Sequence, residues 1–255
     1  MSLKRYRMIR ATLRFYGDLN DVLFSTFSGP AVHRNLPGPT SAKDLIEGCG
    51  VPHTEVDLIL ANNHPVDFSY LVHEDQQLSI YPFFNHIQIP TNERLQQPTL
   101  SHNRFLADTN LGKLARYLRM AGFDTAYSKG QSDREIIGQM LEEKRALLSR
   151  DRKLLMHKII NHGYLPRSDD PVQQLQEVVR RYNLSNSVTP FSRCPNCNTK
   201  LQRVSKEEII DHLEPLTKQH FDTFSQCANC KKIYWAGSHR HRLDKRIKEL
   251  LGIKE

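Results

Sequence analysis

The sequence predicts an α/β chain built on a parallel sheet, with a smaller strand-rich module in front and a cysteine-bearing segment behind. Three observations carry this. Between Arg104 and Asp151, apolar runs ending at Asp108 and just before Asp151 bracket two helix-like stretches and the strand-like F-D-T-A-Y. That is the order of a β-α-β-α-β unit, whose strands run parallel. Ahead of it, residues 1–90 mix alternating strands with one short helix, and behind it two C-x-x-C pairs follow a change in composition at Arg193.

The chain has 255 residues, enough for about two domains by the length prior, and a formal net charge of +8. The positive balance suits a polyanionic partner, although charge alone is weak grounds for one. No apolar run reaches the roughly 18 residues of a membrane span. The start, M-S-L-K-R-Y-R-M-I-R, lacks an apolar h-region, so no secretory leader is expected. Paired cysteines without a disulfide framework fit a reducing compartment, and a cytoplasmic protein is the expectation.

In the first module Ile9, Ala11, Leu13 and Phe15 alternate with Arg10, Thr12 and Arg14, a half-buried strand. Gly17 to Thr40 carries loop signals. Ser41 can cap a helix through Asp44, Leu45 and Ile46 that Gly48 or Gly50 stops. Val56 to Leu60 reads as a strand, Asn62-Asn63-His64-Pro65 as a turn, and Leu78 to Tyr81 as a last strand. This is the order of a β-grasp. The runs V-D-L-I-L-A-N-N-H-P-V-D and Q-Q-L-S-I-Y-P resemble the ubiquitin-like sulfur carriers of the ThiS and MoaD type. Those carriers act through a free C-terminal Gly-Gly, whereas here F-F-N-H-I-Q-I-P follows Pro82 and the chain runs on. Sulfur transfer is therefore excluded chemically, and the module is expected to bind a protein partner. The rival reading, a partner of an adenylating enzyme, requires such a complex.

Residues 91–103 read as a linker, and residues 104–190 as the α/β domain. Leu111, Leu114, Ala115 and Leu118 line one helix face, which Gly122 ends. Ser132-Asp133-Arg134-Glu135 is a capping box ahead of Ile136, Ile137, Met140 and Leu141. Ala146 to Leu148 is a strand, Arg152 to Asn161 a helix, G-Y-L-P-R-S strand-like, and Val172, Leu175, Val178 and Val179 face the core from a last helix.

In a parallel sheet the ligand site lies beyond the carboxyl ends of the strands. Asp108 and Asp151 could converge there with Asp133, and grouped carboxylates are what a catalytic Mg²⁺ or Mn²⁺ needs. Each acid also has a structural reading. Asp108 and Asp151 could cap the helices that follow them, and for Asp133 the spacing favours its own helix dipole. Asp124, Asp169 and Asp170 are further acids that could supply a fourth ligand. Asp124 lies at the wrong end of its strand, and the other two precede Pro171 as capping residues.

The stretches F-L-A-D-T-N-L-G-K-L-A-R-Y-L-R-M-A-G-F-D, S-D-R-E-I and L-L-S-R-D resemble the PIN-like RNase family named after the C-terminal domain of the mutator-seven exoribonuclease. So do the downstream C-P-N-C-N-T-K-L and C-A-N-C-K-K-I-Y-W-A-G-S-H, which are similar to that family's zinc ribbon. The resemblance covers about residues 104 to 245. It implies a three-layer α/β/α PIN-like domain with an acidic metal site at Asp108, Asp133 and Asp151. It also implies ribonuclease activity, and it agrees with a ubiquitin-like module in front. Many PIN enzymes use four acids, of which three are placed.

Residues 191–255 hold Cys194, Cys197, Cys227 and Cys230, a complete tetrahedral set for a structural Zn²⁺. Cys49 stands apart and reads as a core residue. Basic residues Lys113, Arg116 and Arg119 on the first helix of the α/β domain, Arg150, and Arg240 and Arg242 in the C-terminal tail are candidate RNA contacts. Tyr234 and Trp235 read as packing on the zinc knuckle. Two functions remain open: a metal-dependent ribonuclease, and an RNA-binding adaptor with a degenerate PIN-like domain.

Overall fold

A computed structural model describes residues 8–27, 29–84, 90, 93–95, 103–235 and 237. In chain order the first module contains β1 (Ile9–Phe15), β2 (Val32–Leu36), β3 (Thr40–Ser41), α1 (Ala42–Glu47), β4 (Val56–Ala61), β5 (His64–Val66), β6 (Leu71–Val72) and β7 (Gln76–Pro82). The α/β region contributes β8 (Arg104–Ala107), α2 (Gly112–Met120), β9 (Asp124–Tyr127), α3 (Asp133–Glu142), β10 (Ala146–Leu148), α4 (Arg152–Leu155), β11 (Gly163–Tyr164) and α5 (Pro171–Arg181). The cysteine-bearing segment holds β12 (Leu201–Val204), α6 (Lys206–Ile209), α7 (Pro215–His220), β13 (Phe224–Cys227) and β14 (Ile233–Trp235). By contacts the chain forms two compact units, one of Met1–Leu100 with Ala146–Arg167, the other of Ser101–Arg145 with Ser168–Glu255.

In the first unit a five-stranded sheet runs β2-β1-β7-β4-β5. β1 and β7 are parallel, and the other neighbours antiparallel. Ala11, Leu13 and Phe15 of β1 are buried, as are Leu45 and Ile46 of α1, Ile59, Leu78 and Ile80, and together they make up the core of this module. Ser41 caps α1 by accepting from the Asp44 amide at 3.1 Å, and Gly50, at φ +98°, turns the chain after it. This is the ubiquitin-like β-grasp.

Two strands lie where the sequence reads as loop and turn. In β2 Val32 and Leu36 are buried and Arg34 is half-buried between the exposed His33 and Asn35, so burial alternates, but the arginine at the middle inward position removes the apolar alternation that marks a strand in sequence. β5 contains Pro65, which a sheet tolerates at its edge, and β5 is an edge strand. Asn62 and Asn63, at φ 46° and 69°, form the two-residue hairpin turn that pairs Ala61 with His64. Arg94, inside the expected linker, ion-pairs with the buried Asp57 at 2.6 Å, so that part of the segment belongs to the module.

The same unit includes β10, α4 and β11, with β10 and β11 parallel. The helix expected from Arg152 to Asn161 is a single turn. Leu154 and Leu155 are buried, but Ile159, which a continued helix would place beside Leu155, is 43% exposed, and Ile160 takes the inward place.

In the second unit β8 and β9 are parallel, with Arg104 opposite Asp124 and Ala107 opposite Tyr127. Leu114, Ala115 and Leu118 of α2 face Val172, Leu175, Val178 and Val179 of α5, the helix pair the apolar spacing predicts. α3 begins with the expected capping box and buries Ile136 and Met140, while Leu141 is exposed. β12, β13 and β14 form an antiparallel sheet over Ile209, Leu213 and Phe224, against which Phe221 and Trp235 pack. Among the described residues no helix is long and apolar enough to cross a membrane.

Candidate functional site

Asp108 directly follows β8 and caps a 3₁₀ turn, with Oδ1 accepting from the Thr109 amide at 2.6 Å. The turn is tied to the end of β9: Thr109 Oγ1 donates to the Ser128 carbonyl at 3.0 Å, and the Tyr127 hydroxyl donates to the Thr109 carbonyl at 2.7 Å. Asp133 is the exposed first residue of α3, whose cap is Ser132. Asp151 caps α4, with Oδ1 accepting from the amides of Lys153 and Leu154 at 2.8 and 3.2 Å. Its own amide donates to Ser149 Oγ at 2.9 Å. Asp108 and Asp133 belong to the second unit and Asp151 to the first. The structural readings of Asp108 and Asp151 as caps thus hold. A carboxylate has two oxygens and about four lone-pair directions, so capping and cation binding do not exclude each other.

The reserve acids separate clearly. Asp124 is committed to structure: Oδ1 accepts from Arg145 Nη1 and Asn198 Nδ2, each at 2.7 Å, and Oδ2 lies 3.3 Å from Arg193 Nη2. Burial pushes its carboxyl up, but these hydrogen bonds and the charges of Arg145 and Arg193 outweigh burial and hold it below its usual range. Asp170 caps α5 through the amides of Val172 and Gln173, as its place before Pro171 predicts.

The four cysteines come together. Their sulfurs all lie within 4.8 Å of one another, close enough to share a metal ion, whereas among the described residues Asp108, Asp133 and Asp151 do not form such a group. Cys194 and Cys230 sulfurs are 3.6 Å apart, and those of Cys197 and Cys227 3.3 Å. A zinc tetrahedron with bonds of about 2.3 Å has sulfur–sulfur edges of roughly 3.8 Å, so the cluster is of the right size. It is far too open for disulfides, at about 2.05 Å. Burial raises the Cys197 thiol, but hydrogen bonds from Cys227, Thr199 and Cys194 bring it down to about 6. For Cys230 a backbone bond at Lys232 pulls downward, while burial and the other thiols push it up to about 11. Crowded sulfurs ionise unequally in this way unless a cation shares their charge. The donor set and spacing fit Zn²⁺. The Tyr234 hydroxyl sits 3.1 Å from Cys194 Sγ, and Trp235 packs on Phe221, so both aromatics serve the ribbon. Cys49 is fully buried and apart from the cluster.

Of the basic candidates, Lys113 and Arg116 are exposed on α2, and Arg150 is exposed after β10. Arg119 corrects the expectation of a three-residue stripe. It is 9% exposed, and its guanidinium donates to the carbonyls of Thr125, Pro195 and Asn196 at 2.8, 3.3 and 2.8 Å. Helical spacing of three sweeps about 300° per step, so Arg119 rotates off the exposed face and onto the cysteine knuckle. Arg240 and Arg242 lie outside the described residues. Sequence reasoning missed Asn198 and Arg145. Asn198 has φ +69°, and an Asn after a C-x-x-C pair is a signal for a left-handed turn.

Strand ends carrying acids, a ubiquitin-like module ahead of them and a four-cysteine centre behind define a multi-module α/β protein. A family model described as the Mut7-C RNAse domain matches residues 103–247, and one described as Mut7-C ubiquitin matches residues 8–88. The first match spans more than half of the chain, which belongs to the Mut7-C RNase domain family. No curated protein and no solved structure gives a significant match.

Proposed function

We propose that the chain is a metal-dependent ribonuclease whose Asp108, Asp133 and Asp151 hold Mg²⁺ or Mn²⁺. The observation that carries this reading is the match of residues 103–247 to the RNase family model, a span that contains all three acids. Carboxylate oxygens are hard donors suited to either cation. Bound there, such a cation would supply activation of water and charge neutralisation at the phosphodiester. The chain's own residues have separate tasks. Capping bonds orient one carboxylate oxygen each of Asp108 and Asp151. Lys113, Arg116 and Arg150 hold the RNA backbone, together with Arg240 and Arg242 of the tail. Cys194, Cys197, Cys227 and Cys230 bind a structural Zn²⁺, and the ubiquitin-like module offers a surface for a protein partner. Paired thiols suited to metal support a reducing compartment, and we infer the cytoplasm.

The second reading, a non-catalytic RNA-binding adaptor, is favoured by the same capping bonds, because they give Asp108 and Asp151 a purpose without any cation. Cleavage of end-labelled single-stranded RNA separates the two. The zinc-loaded protein is assayed with Mn²⁺, Mg²⁺ and EDTA beside Asp108→Asn and Asp151→Asn. Metal-dependent products that vanish in both variants support the nuclease. RNA binding without cleavage, indifferent to divalent metal and falling with salt, supports the adaptor.

A further inference from the structure

The segment Ala146–Arg167, which carries Asp151, forms one compact unit with the ubiquitin-like module. Its own regular structure is slight: three residues in β10, four in α4 and two in β11. A single helical turn and a two-residue strand do not persist unaided, because nucleation costs more than one turn returns. The module adds partners for it through the 3₁₀ turn His53–Glu55. His53 Nε2 lies 2.8 Å from the Ile160 carbonyl, and its Nδ1 2.7 Å from Glu47 Oε1. Glu55 is 3% exposed, accepts from the Leu165 amide at 2.7 Å and ion-pairs with Arg167. Arg167 in turn donates to the Leu165 carbonyl and lies over the Tyr164 ring. Between these anchors Gly163 fits so closely that a Cβ there would meet Leu155 Cδ2 at 2.8 Å and Thr54 Cγ2 at 3.2 Å.

The grip reaches Asp151 by a short path. β11 pairs with β10, with the Leu147 amide on the His162 carbonyl and the Ser149 amide on the Tyr164 carbonyl. Ser149 Oγ then accepts from the Asp151 amide. We propose that His53 and Glu55 of the ubiquitin-like module are positioning residues for Asp151, clamping Ile160–Arg167 so that the strand end carrying this carboxylate keeps its place. The module is therefore a working part of what holds Asp151, as well as a surface for partners. This inference rests on the ribonuclease reading, since it gives Asp151 a cation to hold.

The test uses the full zinc-loaded chain as wild type, Glu55→Gln and His53→Gln. Three quantities are measured: the Mn²⁺ concentration for half-maximal RNA cleavage, KM for RNA, and amide exchange at Leu165, Lys153 and Leu154. Partners that orient metal ligands cost about ten-fold or more in metal affinity when lost. The expected result is a rise of about that size in the Mn²⁺ requirement, an unchanged KM and faster exchange at all three amides. Faster exchange at Leu165 with wild-type Mn²⁺ dependence would overturn the proposal, leaving a contact that serves folding alone. If Glu55→Gln fails to fold, His53→Gln, which removes one clamp bond, decides by the same criteria. A wild type without metal-dependent cleavage sinks the ribonuclease reading, and exchange at Lys153 and Leu154 then rules on the clamp by itself: acceleration supports it and unchanged protection overturns it.

Discussion

Asn198 donates from Nδ2 to Oδ1 of Asp124 at 2.7 Å and accepts at Oδ1 from the Thr125 amide at 3.0 Å, so the turn after the first cysteine pair is bonded twice to the start of β9. Asn198 itself holds a left-handed backbone at φ 69°, a conformation that Asn adopts more readily than most residues. With Arg119 donating to the carbonyls of Pro195 and Asn196, the first knuckle is joined to α2 and β9 by side chains on both sides. The cysteine centre is thus built into the second unit.

Asp124→Asn is expected to destabilise the protein by roughly 2 kcal/mol at neutral pH, the scale of hydrogen bonds to a charged group. The sign with pH follows from the direction of its shift. The folded-state carboxyl lies below its ordinary 3.8, so its contribution is fully present above that value and is lost as pH falls through the folded value. Chemical denaturation of wild type and variant should therefore differ most above pH 4 and converge below it. A gap that stays constant to pH 2.5 would show that the charge of Asp124 does not matter.

Arg119 and Arg116 should behave as opposites. Arg119→Met leaves three carbonyls without their donor, at roughly 1.5–3 kcal/mol, and should lower thermal stability while leaving the salt dependence of RNA binding unchanged. Arg116→Ala should leave stability within about 0.5 kcal/mol of wild type and reduce the slope of log K against log salt by about 0.7, one single-strand phosphate contact. Fluorescence anisotropy with labelled single-stranded RNA at several salt concentrations reads the second quantity. A loss of slope in Arg119→Met would return that residue to the RNA surface.

The parts of this molecule that were legible in its sequence are those set by local rules. The alternation of Ala11, Leu13 and Phe15, the apolar face of α2, the capping box at Ser132 and the paired cysteines each depend on residues a few positions apart. What escaped was set at a distance. β2 is a strand because β1 offers it an edge, not because His33, Arg34 and Asn35 favour one. α4 stops after one turn because Ile160 is drawn inward and its carbonyl meets His53, more than a hundred residues earlier. Arg119 has the composition of a phosphate contact, and the position of the first knuckle assigns it to structure; for Asp124, already at the wrong strand end for a ligand, Arg145 and Asn198 do the same.

Tyr234 offers a test of the cysteine centre that spares its ligands. Its hydroxyl is 3.1 Å from Cys194 Sγ, and burial together with the neighbouring thiols raises its pKa, so it stays a neutral donor to a thiolate. Tyr234→Phe should weaken zinc about ten-fold in competition with a chromophoric chelator, in line with other partners of metal ligands. Cys194→Ser should weaken it far more. Chelation of the wild type should also speed amide exchange at Thr125, whose partner Asn198 sits on the knuckle. Protection of Thr125 that survives complete zinc removal would show that the knuckle holds its shape without metal.

Two glycines on adjoining helices should respond in opposite directions to the same change. Gly122 follows α2 at φ +101°, a region costly to any residue with a Cβ. A Cβ there would collide with Oγ1 and the carbonyl of Thr189 and reach Ser192 Oγ at 2.9 Å. Thr189 cannot step aside, because its amide donates to Ala121 and the Phe191 amide donates to Met120, which fixes the chain on both sides of it. Gly122→Ala should therefore cost at least about 1–3 kcal/mol from backbone strain, with the collision added. Gly138 lies inside α3, is exposed, and has nothing within 4 Å of a built Cβ. Gly138→Ala removes freedom from the unfolded chain and adds helix propensity, so it should stabilise by about 0.4–1 kcal/mol. Thermal unfolding of the two variants beside wild type checks both signs at once. A neutral Gly122→Ala would mean that the turn between α2 and β9 can adopt a second conformation, and it would weaken the argument that Thr189 is fixed.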